Sequence, residues 1–170
     1  MLRKMYPEAE ITVLVRKYNY EIVKNLPYID RVVKIDDYTE KSLIDKIGYF
    51  KADVFIALYN DAFISKLAKK SGAKLRIGPY SKLSSFFVFN RGVFQKRSKS
   101  VKNEAEYNLD LIRKLNPALF KKNYELNTEI VLEDKNREVA DKFYNDTVPK
   151  GRKVLVINPF MGGSAKNLKD

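Results

Sequence analysis

With 170 residues, 45% of them hydrophobic and 32% charged, the chain is long enough for a domain with a real core and has a globular rather than a disordered balance. It contains no cysteine and no histidine, which excludes disulfides, zinc–thiolate sites, and Ser-His-Asp or Cys-His catalysis within the chain. The net charge of +12 would suit nucleic acid, an anionic membrane or phosphorylated small molecules, and it also follows from a composition rich in Lys, Asn, Ile and Tyr.

No apolar run approaches transmembrane length, and Met1-Leu2-Arg3-Lys4 is not followed by a signal-peptide core. Met1–Tyr6 reads as the last turn of a helix ended by Pro7. Ile11–Val15 is a strand of the buried type, and Tyr20, Val23 and Lys24 fit a short helix closing at Pro27. Arg31–Ile35 is a second strand. Thr39 caps a helix with Leu43, Ile44 and Ile47 on one face, and Gly48 lies near its end. Val54–Leu58 is the third strand, and Asn60 or Asp61 caps a helix with Ile64, Leu67 and Ala68 at helical spacing. Gly72 fits the residue just past that helix, while Lys66, Lys69 and Lys70 read as a solvated face.

Leu75-Arg76-Ile77 is a short fourth strand, which Gly78-Pro79 should break. Ser81–Lys102 is less regular: Phe86–Phe89 fits a strand or a buried helix end, and Gln95–Lys102 reads as a polar basic loop. Asn103–Leu115 is a helix with Ala105, Leu109 and Ile112 on one face, ended by Asn116-Pro117. Lys121-Lys122-Asn123 reads as a linker and Glu129–Leu132 as a short extended piece. Glu133–Asn145 reads as a helix with Val139, Ala140 and Phe143 inward. Strand and helix alternate throughout, without an internal repeat. The expected fold is α/β, a Rossmann-like parallel sheet covered by helices, with the four strands in one sheet and Val154–Ile157 apart from it.

The stretch KVLVINPFMGGSAK, Lys153–Lys166, carries the chemistry. Val154–Ile157 reads as a strand buried on both faces, and Asn158-Pro159 ends it. Gly162, Gly163 and Ser164 then offer bare amides and a hydroxyl, and Lys166 stands where a helix could start. Together they form a candidate anion cradle. The pattern is neither GxxxxGK[ST] nor GxGxxG, and the same residues also read as an ordinary strand–loop–helix connection.

Taken in order, LRKMYPEAEITVLVR, NLPYIDRVVKID, DVFIALYNDAFISKLAKKSGAKLRIG, NEAEYNLDLI and INPFMGGSAKN resemble successive stretches of glycosyltransferase family 9, the ADP-heptose:lipopolysaccharide heptosyltransferases. Glu106, Asn108 and Lys166 match family positions. Asn103 and Asn158 stand where a His is usual, Phe160 where Gly is usual and Leu168 where Trp is usual. The resemblance implies two Rossmann-like domains of the GT-B kind. Residues 1–122 would form the acceptor-side domain without its first strand, and 123–170 a linker and the beginning of the donor domain, each incomplete. The family's catalytic aspartate would precede Met1, so the isolated chain is expected to be inactive.

The implied reaction moves a heptose from ADP-heptose to a sugar of the lipopolysaccharide inner core, in the cytoplasm or peripherally at the inner membrane, without metal or cofactor. Gly162, Gly163, Ser164 and Lys166 would hold the donor phosphates; Arg76, Lys96, Arg97 and Lys99 are acceptor-binding candidates. Arg76 equally fits an ion pair at a sheet edge, and the loop residues fit plain solvation. A non-catalytic α/β interaction domain is the alternative. A nucleic-acid-binding module is disfavoured because the basic residues look scattered and Phe86–Phe89 reads as core. With the family's first strand absent, Ile11–Val15 and Val54–Leu58 should either become adjacent or keep open edges that favour oligomers.

Overall fold

The structure, a computed structural model, describes residues 1–157. It divides into two units, Met1–Val131 and Leu132–Asp170. In the first unit, parallel strands are joined by helical crossovers. β1 (Thr12–Val15) pairs with β2 (Arg31–Lys34), Val13 lying opposite Val32 and Leu14 opposite Val33. β3 (Val54–Ile56) pairs with β4 (Leu75–Pro79), which pairs on its other side with β5 (Arg91–Val93).

The single four-stranded sheet expected from sequence is thus two sheets, β1-β2 and β3-β4-β5. β1 and β3 share a core without sharing a ladder. Leu14 and Phe55 both pack on the cluster of Ile35, Leu43, Ile47, Phe63 and Leu67. Each therefore keeps one edge unpaired among the described residues, the second of the two outcomes foreseen. The open edges also explain why neither strand is buried on both faces: β1 and β3 are half-buried throughout. A second cluster, Ala57, Ala68, Val88 and Phe89, adjoins the first through Phe55 and Ile64, which touch both.

Helix boundaries follow local chemistry. α1 is Leu2–Met5 and α2 is Lys17–Val23. The Thr39 hydroxyl accepts the Ser42 amide at 3.1 Å and starts α3 (Glu40–Lys46). Asp61, rather than Asn60, caps α4 (Ala62–Lys70), accepting the Ile64 amide at 2.7 Å. Gly72 follows at φ +72°, the left-handed conformation expected past a helix end. Asn103 and Glu106 close a reciprocal capping box at the start of α5 (Glu104–Arg113), both bonds at 2.9 Å.

Pro117 begins a helix as well as ending one. α6 (Pro117–Asn123) has proline in its first turn, where no amide is needed, and Asn116 caps it. Lys121-Lys122-Asn123, expected as a linker, is its last turn. Buried Phe120 supplies the packing that holds it.

β4 does not break at Gly78-Pro79. Tyr80 N–H donates to Val93 O at 2.9 Å, so by strand alternation the Pro79 nitrogen faces the β3 side, where β3 has already ended. Gly78 is needed for packing: a Cβ there would lie 2.6 Å from the Phe89 ring. Phe86–Phe89 divides. A 3-10 turn, Leu83–Phe87, leaves Phe86 and Phe87 exposed and turns Val88 and Phe89 into the core.

In the second unit, α7 (Asp134–Thr147) forms as expected, but the face read as inward is exposed at Val139 and Phe143. Glu129–Leu132 and Val154–Ile157 form no strand; a strand needs a ladder partner, and none is found among the described residues.

Candidate functional site

In open parallel sheets, ligands bind outside the carboxyl ends of the strands. Here that rim is built from Arg16 and Lys17 after β1, Asp36 after β2, Leu58–Asp61 after β3, Tyr80 after β4, and Phe94–Lys99 after β5.

Asp36 joins two of these ends. Its carboxylate accepts the Lys17 amide at 2.6 Å, and Arg16 Nη1 approaches at 3.4 Å. The amide bond first, then the Arg16 bond and charge, hold its carboxyl below the ordinary range. Partial burial, reinforced by the Asp61 charge, pushes the Tyr59 phenol up. Asn60 accepts the Ser65 hydroxyl at 2.7 Å and donates to the buried Ser85 hydroxyl at 3.1 Å, tying the loop after β3 to the 3-10 turn.

Arg97 binds three parts of the rim together. Nη2 donates to Leu58 O at 2.9 Å and to Asn108 Oδ1 at 3.0 Å, Nε donates to Gln95 Oε1 at 2.9 Å, and Nη1 pairs with Glu104. The guanidinium also lies 5.3 Å from the centre of the Tyr107 ring. The Tyr107 hydroxyl donates to Lys96 O at 3.1 Å, so α5 holds the loop after β5 in place. Asn108, matched to a family position by sequence, thus helps position this loop through Arg97.

Lys96 and Lys99 are exposed on that loop and make no ion pair or side-chain hydrogen bond among the described residues. Arg76 lies elsewhere, near the amino end of β4. Its Nε and Nη1 each donate at 2.8 Å, to Val88 O and Ala73 O, a brace rather than the ion pair considered from sequence. Lys96, Arg97 and Lys99 are therefore together and Arg76 is apart from them. Gly162, Gly163, Ser164 and Lys166 lie outside the described residues.

Sequence reading missed Tyr59, Tyr80 and Phe94 as rim residues; their signal was position just after a strand, and β5 itself was not recognised. Among the described residues no group of Asp and Glu is arranged to hold a metal ion. No described helix is long and apolar enough to cross a membrane.

This is the class of open, parallel, Rossmann-like α/β domains. No family model matches the chain. It is 37% identical over 117 residues to a Haemophilus influenzae protein named "Putative glycosyltransferase", covering 66% of this chain and 34% of that protein. Its fold is similar to the glycosyl transferase family 9 structure from Veillonella parvula, with a TM-score of 0.71, 19% identity, and coverage of 90% of this chain and 44% of that one. It is also similar to E. coli ADP-heptose LPS heptosyltransferase II, with a TM-score of 0.60, 13% identity, and coverage of 89% and 45%. The curated match is to a protein named as a glycosyltransferase, and the two solved structures share the fold of this chain. The chain spans 34% of the length of the curated relative it matches.

Proposed function

We propose that the chain is the acceptor-side part of a glycosyltransferase that moves a sugar from a nucleotide-sugar donor to a glycan acceptor. The specific reaction we infer is transfer of heptose from ADP-heptose to a phosphorylated sugar of the lipopolysaccharide inner core, in the cytoplasm. The observation that carries this reading is the 37% identity to a glycosyltransferase-named protein on a fold shared with family 9 structures. The rim adds chemical support. Lys96 and Lys99 present two exposed ammonium groups on a loop braced by Arg97. Phosphates on an acceptor sugar are suitable counter-charges for them. Arg97 acts as the positioning residue. Gly162, Gly163, Ser164 and Lys166 are assigned to the donor diphosphate, where amides and an ammonium would stabilise the leaving charge. No cofactor enters the proposed reaction.

Titration of the chain with a phosphorylated inner-core oligosaccharide, read by calorimetry, tests the acceptor assignment. Binding is expected, and the Lys96→Ala/Lys99→Ala variant should weaken it by about tenfold or more, the range of one or two charge-assisted contacts. Absence of binding, or binding indifferent to both lysines, would overturn it.

A further inference from the structure

The first unit has seven arginines, and six of them place the guanidinium on oxygen acceptors. Arg3, Arg16, Arg97 and Arg113 bond to carboxylates, and Arg76 and Arg91 to main-chain carbonyls. The Arg31 guanidinium bonds to none among the described residues. It lies instead 4.8 Å from the centre of the Phe50 ring. The fold explains how it comes there. Arg31 opens β2 and by strand alternation shares a face with buried Val33, while Phe50 packs on the core cluster around Leu43. The guanidinium is thus carried to the edge of the core, where it stays exposed.

Arg31, Tyr38, Lys46, Tyr49 and Phe50 line one open groove of about 260 Å³. Lys46 ends α3 and repeats the arrangement: its ammonium lies 5.4 Å from the centre of the Tyr38 ring and, among the described residues, meets no carboxylate. Tyr38 and Phe50 both pack on the core cluster, so the core holds the floor of the groove. Tyr49, in the 3-10 turn Ile47–Phe50, is 82% exposed, and its ring meets no other ring or cation among the described residues. None of the five lining residues is acidic, and none belongs to the rim at the carboxyl ends of the strands.

We infer that this groove is a binding site for a nucleoside phosphate, with the base on Tyr49 and the phosphate oxygens accepting from Arg31 and Lys46. Resting a cation on a ring holds its head in place while leaving its charge unneutralised and its N–H donors open. A phosphate supplies the missing acceptors, and the fork of the guanidinium matches it. Two cations without a carboxylate select an anion. The exposed ring beside them selects an anion that carries a flat face, as a nucleobase does. The groove lies near the lower end of small-molecule sites, roughly 300–1,000 Å³, which suits a single nucleotide. The inference goes beyond the transferase reading and does not rest on it, because that reading assigns the donor diphosphate to Gly162, Gly163, Ser164 and Lys166.

Titration of the 170-residue chain with AMP, followed by NMR, decides it. The amides of Arg31, Lys46, Tyr49 and Phe50 should shift together with one saturable affinity. Tyr49→Ala removes an exposed side chain, so circular dichroism should be unchanged while the affinity for AMP falls about fivefold or more. Lys46→Ala should weaken binding about tenfold, and Arg31→Lys, which keeps the charge and loses the fork, should weaken it as well. Lys166→Ala should leave these shifts in place; their loss in that variant would assign the nucleotide to the donor site and overturn the proposal. No binding, shifts confined to other residues, or an affinity indifferent to Tyr49 and Lys46 would also overturn it. Ribose 5-phosphate binding as tightly as AMP would overturn the placement of a base on Tyr49. A single-stranded oligonucleotide binding far more tightly than AMP through the same residues would reassign the groove to a nucleic-acid strand.

Discussion

The two sheets are built on the same plan and end differently. Both are parallel, both reach their next strand through a helix, and both rest on the cluster around Leu43 and Leu67. The β3-β4-β5 sheet has a strand paired on both edges, and there Ile77 is fully buried and Gly78 admits the Phe89 ring. The β1-β2 sheet has no such strand, and its first strand is half-buried along its length. A parallel strand becomes core when it has neighbours on both sides; apolar composition alone does not put it there. The sheets also differ in what ties their loops. Around β1-β2 the ties are carboxylates: Asp30 accepts the Ile11 amide and an Arg3 bond, and Asp36 accepts the Lys17 amide. Around β3-β4-β5 they are arginines and amides, Arg76, Arg97 and Asn90, bonded mostly to backbone carbonyls.

The largest effect should come from the paired strand. Ile77→Ala should lower stability by about 2–5 kcal/mol, and Leu14→Ala, in the half-open strand, by less than half as much. Equal losses in urea denaturation would mean that β1 is as much core as β4. An intermediate effect is expected from Arg76→Ala, which frees two backbone carbonyls that the guanidinium now binds. The cost should be about 1.5–3 kcal/mol, and Arg76→Lys should not restore both bonds.

The smallest effect is a pH dependence confined to one sheet. Asp30 and Asp36 are held below their ordinary range, chiefly by the amides of Ile11 and Lys17. Their stabilisation is present above the unfolded value, about 3.9, and is lost as pH falls through the lower folded values. Acidification from about pH 5 to pH 2 should therefore lower the protection of the Ile11 and Lys17 amides, measured as hydrogen exchange relative to the intrinsic rate at each pH. The amides of residues 75–78, in a segment without acids, should lose less protection. Asp36→Asn should remove the dependence at Lys17 alone. Uniform loss of protection across both sheets would show that the carboxylates act on the whole unit.

By itself, the sequence determined the features that depend on a few neighbouring residues. The cap at Thr39, the choice of Asn60 or Asp61 for the cap of α4, the left-handed Gly72 and the alternation of strand and helix were legible because each depends on residue types within a turn of one another. Tertiary structure alone decided the rest. β5 is three residues long and exists because β4 lies beside it, and Pro79 stays in its strand because β3 ends one step earlier. Four successive apolar residues, Phe86 to Phe89, divide into two exposed and two buried because a 3-10 turn points them to opposite sides. Arg76 and Arg97 looked alike as basic residues near strand ends. One became a brace under β4 and the other the tie that sets the loop carrying Lys96 and Lys99, since an arginine's role follows from which carbonyls the fold brings within its reach.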